Sequence, residues 1–172
     1  GLLGGGTLLG ADLAGLTLAP GVYTVDAGVS NLTGTLTLDG GGNANAFWVF
    51  QMPSTLITSS ASVVNVTNTG TGAGVFWNVG SSATLGTTTS FQGNILALTS
   101  ITLNNSATIG CGRALADTGA VTMDTNTIGI GCTSAGFSGS GLEFSVGGNV
   151  VDTTTGTVVA AKVPEPSTLL LL

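Results

Sequence analysis

Between Ser82 and Ile128, apolar and hydroxylated positions alternate in short bursts that recur at a nearly fixed step. Three bursts share one form: Ala83-Thr84-Leu85, Ile101-Thr102-Leu103 and Val121-Thr122-Met123, with third residues 18 and then 20 positions apart. A second series keeps the same phase, pairing apolar Phe91, Ile109 and Ile128 with polar Ser90, Thr108 and Thr127. A third precedes each first-series unit by six residues and runs through Trp77, Ile95 and Leu115. Alternation predicts strands, because successive side chains on a strand point to opposite faces. Recurrence at this step predicts coils that bury their apolar side only by stacking on one another. Three short strands per coil enclose a roughly triangular core. The predicted fold class is therefore all-β, a parallel β-solenoid (β-helix) of triangular cross-section.

The same pattern extends towards the start of the chain. From Gly15 the sequence GLTLAPGVYTV alternates and then turns at Pro20-Gly21. Leu18 and Leu38 lie one coil of 20 residues apart, and the strand at 46–52 (AFWVFQM) supplies another third-series member. Trp48 stands six residues before Ser54 as Trp77 does before Ala83, which makes Ser54-Thr55-Leu56 a further first-series copy. On this alignment Leu38, Leu56, Leu85, Leu103 and Met123 fall on one inward line. Thr37, Thr55, Thr84, Thr102 and Thr122 then form one outward row, with Ser90, Thr108 and Thr127 as a second hydroxylated face. The long step from Leu56 to Leu85 is expected to be taken up by a polar loop around residues 65–74. The third face differs: Phe76, Leu96, Leu98, Ala114 and Ala116 are read as outward, so that face wants a cover.

Composition narrows the classes. Charged residues are 6% of 172, the net charge is −6 and histidine is absent. A nucleic-acid partner is excluded by this balance, since such binding needs a basic surface. Arg113 and Lys162 are the only cations, so recognition of phosphate by side chains is nearly excluded. Two cysteines are too few for a structural zinc site, and no Asp-rich nonapeptide repeat supports calcium. No metal or cofactor is therefore expected. The Gly and Thr content leaves no helix-period stretch, so almost no helix is expected. Residues 1–10 lack the features of a signal peptide, and the chain is expected to be a fragment.

The segments GLTLAPGVYTV, TLTLDGGGNANAFWVFQM and the run from GVFWNVG through MDTNTI resemble the microbial ice-binding protein domain, almost without gaps over residues 12–128. The resemblance implies a discontinuous β-solenoid with one long α-helix along a face. In that family the helix and a strand cap precede the GLTLAPGVY segment, so both are expected to be missing here. It also implies a non-catalytic protein that adsorbs to the ice crystal surface. A flat grid of Thr would hold waters in ice-like order through hydroxyls while methyls keep the face partly apolar. Among the rows, Thr37, Thr55, Thr84, Thr102 and Thr122 are the expected ice-binding face, and Ser90, Thr108 and Thr127 the alternative. A different class of function, an exported adhesin or matrix protein contacting exopolysaccharide, would use the same solenoid. A polysaccharide lyase or hydrolase would need clustered carboxylates or a basic residue, where the coils place Thr, Ala and Gly.

Past Ile128 the repeat ends. Cys132 follows Cys111 by 21 residues, about one coil, so with export a disulfide between adjacent coils is expected. Residues 1–132 form the expected solenoid, and 133–162 a Gly/Ser/Thr-rich spacer with strand-like pieces at 142–146 and 157–161. The end, residues 163–172, carries Pro164-Glu165-Pro166 and four leucines and resembles the start of a PEP-CTERM sorting signal. That resemblance implies export to the surface or exterior of a Gram-negative bacterium, with only transient membrane contact. Arg113 is expected to pair with Asp117 or a helix carbonyl.

Overall fold

The computed structural model describes residues 5–27 and 30–129, and beyond them three short strands. No helix occurs among the described residues. The chain divides into two units, Gly1–Gly139 and Ser140–Leu172.

The first unit is a stack of coils, of which the first two contribute strands to two parallel sheets and the next four to three. The first coil holds β1 (Thr7–Leu9) and β2 (Thr17–Leu18), and the second β3 (Gly21–Val25) and β4 (Thr35–Asp39). A third has β5 (Phe47–Met52), β6 (Leu56–Ile57) and β7 (Val63–Thr67). Three more follow: β8 (Gly74–Val79), β9 (Ala83–Leu85) and β10 (Ser90–Phe91); β11 (Asn94–Ala97), β12 (Ile101–Leu103) and β13 (Thr108–Ile109); β14 (Ala114–Ala116), β15 (Val121–Met123) and β16 (Thr127–Ile128). One six-stranded sheet is ordered β1-β3-β5-β8-β11-β14, a second β2-β4-β7-β10-β13-β16, and a four-stranded sheet β6-β9-β12-β15. Every pairing within them is parallel, as an all-parallel solenoid requires.

Inward residues fill the space between the sheets. The column Tyr23, Phe50, Trp77, Ile95, Ala114 descends the first sheet in register. The rings of Phe50 and Trp77 stack with centroids 4.0 Å apart, and Phe91 closes on Trp77 at 4.9 Å from the facing sheet. Such ring contacts add about 0.5–1.5 kcal/mol each beyond the area they bury. The buried indoles keep their polar ends satisfied: Trp48 Nε1 donates to the Leu18 carbonyl and Trp77 Nε1 to that of Gln92. The first bond joins two sheets and the second ties the first sheet to the corner after β10.

Register corrects several sequence-based alignments. Leu38 pairs with Leu18 as expected, but on its other side with Val66, in the second six-stranded sheet. It is therefore not on the line of Leu85, Leu103 and Met123, which are paired in the four-stranded sheet. Leu56 pairs with Ala83 rather than Leu85, because Trp77 lies beside Phe50 and not beside Trp48. Residues 65–67 are strand, not loop. The extra length of the long coils lies partly in stacked Gly-rich corners, where Gly42 N–H donates to the Asn68 carbonyl and Gly72 N–H to that of Ala44. Ala114, not Leu115, continues the Trp77–Ile95 column. Ala114 and Ala116 pack against the core, whereas Leu115 points outward and is 50% exposed. Met123 keeps the inward phase of Leu103 but is exposed in the last described coil.

In the second unit β17 (Glu143–Phe144), β18 (Val150–Asp152) and β19 (Thr157–Val159) pair antiparallel in that order. The strand-like pieces at 142–146 and 157–161 contain β17 and β19. Cys132, the remainder of 133–162 and all of 163–172 lie outside the described residues.

Candidate functional site

Two of the three sheets present hydroxyls in columns. On the second six-stranded sheet, Thr35, Val63, Ser90, Thr108 and Thr127 lie side by side on five consecutive strands. Two residues along, Thr17, Thr37 and Asn65 form a second column on its first three strands. Neighbouring strands stand about 4.8 Å apart and alternate residues along a strand about 6.7 Å, so the two columns define a regular grid. On the four-stranded sheet one column runs Ile57, Thr84, Thr102, Thr122. Continuing its register by two residues places Thr55 beside Ser82, Ser100 and Ala120 in an adjacent column.

The structure thus divides the expected row. Thr84, Thr102 and Thr122 are aligned neighbours. Thr55 is on the same face but one column over, and Thr37 is on another face, with Thr17 and Asn65. Ser90, Thr108 and Thr127 are in register as expected. Sequence reasoning missed Thr17, Thr35 and Val63 as members of this array. The spacing of Thr17 from Thr37, one coil like Leu18 from Leu38, was the available signal.

Hydrogen bonding separates these arrays from the other hydroxyls. The side chains of Thr17, Thr35, Thr37, Ser90, Thr127, Thr84, Thr102 and Thr122 take no hydrogen bond within the described structure. At the corner between the two sheets the hydroxyls are instead committed inward. Thr58 and Thr89 bond each other at 3.0 Å, and Ser62 donates to the Leu32 carbonyl at 2.7 Å. Thr108 makes only a long contact of 3.4 Å to the Thr89 carbonyl. On the faces, only long contacts of 3.4 Å engage Thr108 and Ser82, while at the corner Thr58, Ser62 and Thr89 hold the fold.

The named columns carry no ionisable side chain, although Asp39 borders them, two residues beyond Thr37 on the same side of β4. Asp12 accepts from the Thr33 hydroxyl, and this bond above all holds its carboxyl below the usual range. Asp39, at the end of β4, is lowered by the Gly41 backbone N–H and then by the Asn68 amide. Burial raises the Tyr23 phenol, whose O–H donates to the Ala19 carbonyl. Arg113 reaches Asn94 Oδ1 at 3.5 Å rather than the expected Asp117. Among the described residues no three His, Cys, Asp or Glu converge on a metal position. Cys111 is buried and disulfide-bonded.

The first six-stranded sheet is different in kind. Its outward column Thr24, Gln51, Asn78, Leu96, Leu115 turns apolar towards the last coils. Leu96, Leu98 and Leu115 are each 41–53% exposed and line a groove with Asn78 and Asp117.

Among the described residues, then, the fold is a parallel solenoid whose second six-stranded sheet bears hydroxyls in register on its outer face. The family described as Ice-binding-like matches residues 5–129, and the chain belongs to it. It is similar to an ice-binding protein of Nostoc sp. (strain HG1), with 58% identity over 125 residues, which is 73% of this chain and 46% of that protein. An ice-binding protein of Flavobacterium frigoris (strain PS1) is 35% identical over 128 residues, 74% of this chain and 43% of that one. Among solved structures, the ice-binding protein of the Antarctic ascomycete Antarctomyces psychrotrophicus superposes with a TM-score of 0.64 at 45% identity, over 74% of this chain and 60% of that chain. The chain spans less than half the length of these two sequence relatives.

Proposed function

We propose that this chain binds ice by adsorption through the outer face of the second six-stranded sheet. The observation that carries this reading is the in-register series Thr35, Val63, Ser90, Thr108, Thr127, flanked by Thr17, Thr37 and Asn65, in which every hydroxyl but that of Thr108 takes no hydrogen bond among the described residues. It spans more strands than the Thr84–Thr102–Thr122 column and carries two columns where paired strands of the other face carry one. Hydroxyls order surface water, and the β-branched methyls, including those of Val63, keep the array partly apolar. The backbone is preformed, so little conformational entropy is lost on binding a solid. The chemistry is adsorption, with no bond made or broken: bound molecules pin the ice front, and the curvature between them lowers the local freezing point.

The test is Thr108→Tyr, which raises a ring in the middle of the grid while leaving buried Ile109 in place. Partition into a slowly growing ice phase should fall sharply with the far-ultraviolet spectrum unchanged. A folded variant that partitions like the parent would remove this face from the reading.

The membership in an ice-binding family and the Pro164-Glu165-Pro166 tail support export to the cell surface or exterior of a Gram-negative bacterium, by way of a PEP-CTERM-like signal. Disulfide-bonded Cys111 supports the same oxidising destination, with Cys132, the chain's other cysteine, as its partner. Thiol alkylation before and after reduction tests the pairing, and two thiols that react before reduction would contradict it.

A further inference from the structure

We propose that the four-stranded face is a second ice-contacting surface, so that one molecule engages two crystal planes of different orientation. The inference rests on the six-stranded face being the first such surface. Ile57, Thr84, Thr102 and Thr122 are strictly paired neighbours on four consecutive strands. They share the pattern of the first array, apolar on the third coil and hydroxylated on the next three, and here every strand carries a β-branched residue. Val63 holds the corresponding place in the first array, also on the third coil. The hydroxyls of Thr84, Thr102 and Thr122 take no hydrogen bond among the described residues. Hydroxyls committed inward begin only at the corner, with Thr58, Ser62 and Thr89.

The corner makes these two faces rather than one curved one. Ala61, Thr88, Ser106 and Thr125 take left-handed backbone at φ 58°, 57°, 57° and 54°, one per coil. They are tied from coil to coil, Ala61 N–H to the Thr87 carbonyl, Thr88 N–H to that of Asn105 and Ser106 N–H to that of Asp124. A turn repeated with the same dihedral and the same bonds sets one angle between the sheets along the four coils that contribute to both. Beneath Thr84 and Thr102 the flanking Ala83, Leu85, Ile101 and Leu103 are fully buried, so this part of the column stands on packed core. A flat solid cannot touch both faces at once. Two rigid arrays at a fixed angle therefore meet two differently oriented planes.

The experiment is dye-labelled full chain adsorbed to a single-crystal ice hemisphere, comparing the parent, Thr102→Tyr, Thr84→Tyr and Thr108→Tyr. All are first checked for unchanged melting temperature, and either Thr102→Tyr or Thr84→Tyr suffices for the second face if the other misfolds. The expected result is that a second-face variant loses adsorption on one set of planes and keeps the planes that Thr108→Tyr loses. The inference is overturned if folded second-face variants decorate the hemisphere as the parent does, or dim every plane alike. Loss with Thr108→Tyr but none with the second-face variants sinks this inference alone. Full adsorption by Thr108→Tyr sinks the six-stranded reading instead, and with it the claim of two faces.

Discussion

Gly112 lies so close beneath Gly93 that a Cβ on Gly112 would stand 1.9 Å from the Gly93 carbonyl oxygen. Both have positive φ, 155° and 108°, at the corner where the chain leaves the second six-stranded sheet for the first. Consecutive coils touch there backbone to backbone. Gly112→Ala should therefore cost about 2–4 kcal/mol, the range of severe single substitutions with a backbone cause. Denaturant unfolding checks this, and a loss under half a kilocalorie would show that the coils can part at this corner.

Thr88 presents the opposite case. It holds φ 57°, in a region that disfavours β-branched side chains by about 1–2 kcal/mol and that Asn tolerates better. Its hydroxyl bonds only the neighbouring Thr87 carbonyl. Thr88→Asn is expected to stabilise the chain by roughly 0.5–1 kcal/mol. A thermal melt that moves downward would mean the methyl has a packing role that outweighs the backbone relief.

Ice binding and stability should separate with pH. The named columns of both hydroxyl faces contain no titratable side chain, so ice partitioning is expected to be constant from about pH 5 to about pH 9. Asp12 and Asp39 have lowered folded pKa values against an ordinary value of 3.8. Their contribution to stability is present above the unfolded value and is lost as pH falls through the folded ones. Melting temperature should thus begin to fall only below about pH 4. The fall should be shallow because both carboxylates are solvent-exposed. Asp12→Asn should flatten part of it, and an unchanged acid limb would assign the effect elsewhere.

Leu96, Leu98 and Leu115 make the first sheet's outer face an apolar patch of the kind that binds hydrophobic dyes. Leu115→Thr should lower dye fluorescence while changing stability by no more than about 0.5 kcal/mol. Dye binding that stays at the parent level would place the dye site off this face.

How much was legible in advance depended on which symmetry of the strand was being read. Alternation assigned inward and outward sides correctly wherever the register was right, as at Ile101-Thr102-Leu103 and at Ser90-Phe91. It could not detect the misplacement of Thr55, because a slip of two residues leaves every side chain on its own side of the sheet. The one-residue slip at Leu115 was detectable in principle, since it exchanges inside for outside. There Ala114 and Ala116, small enough to suit either side, concealed it.

Composition and periodicity in the sequence alone determined that this chain is a parallel all-β coil stack with two hydroxylated faces sparse in charge, because apolar alternation at a coil-length step has few other ways to be buried. Which hydroxyls stand next to which was decided only by tertiary structure. Thr37 and Thr84 sit in the same local pattern, an outward Thr before an inward Leu, yet pair in different sheets. Side-chain pattern records the face of a strand. Hydrogen-bonded neighbours, set by the long corners at residues 40–46 and 68–73, record the sheet, and ice would meet the sheet.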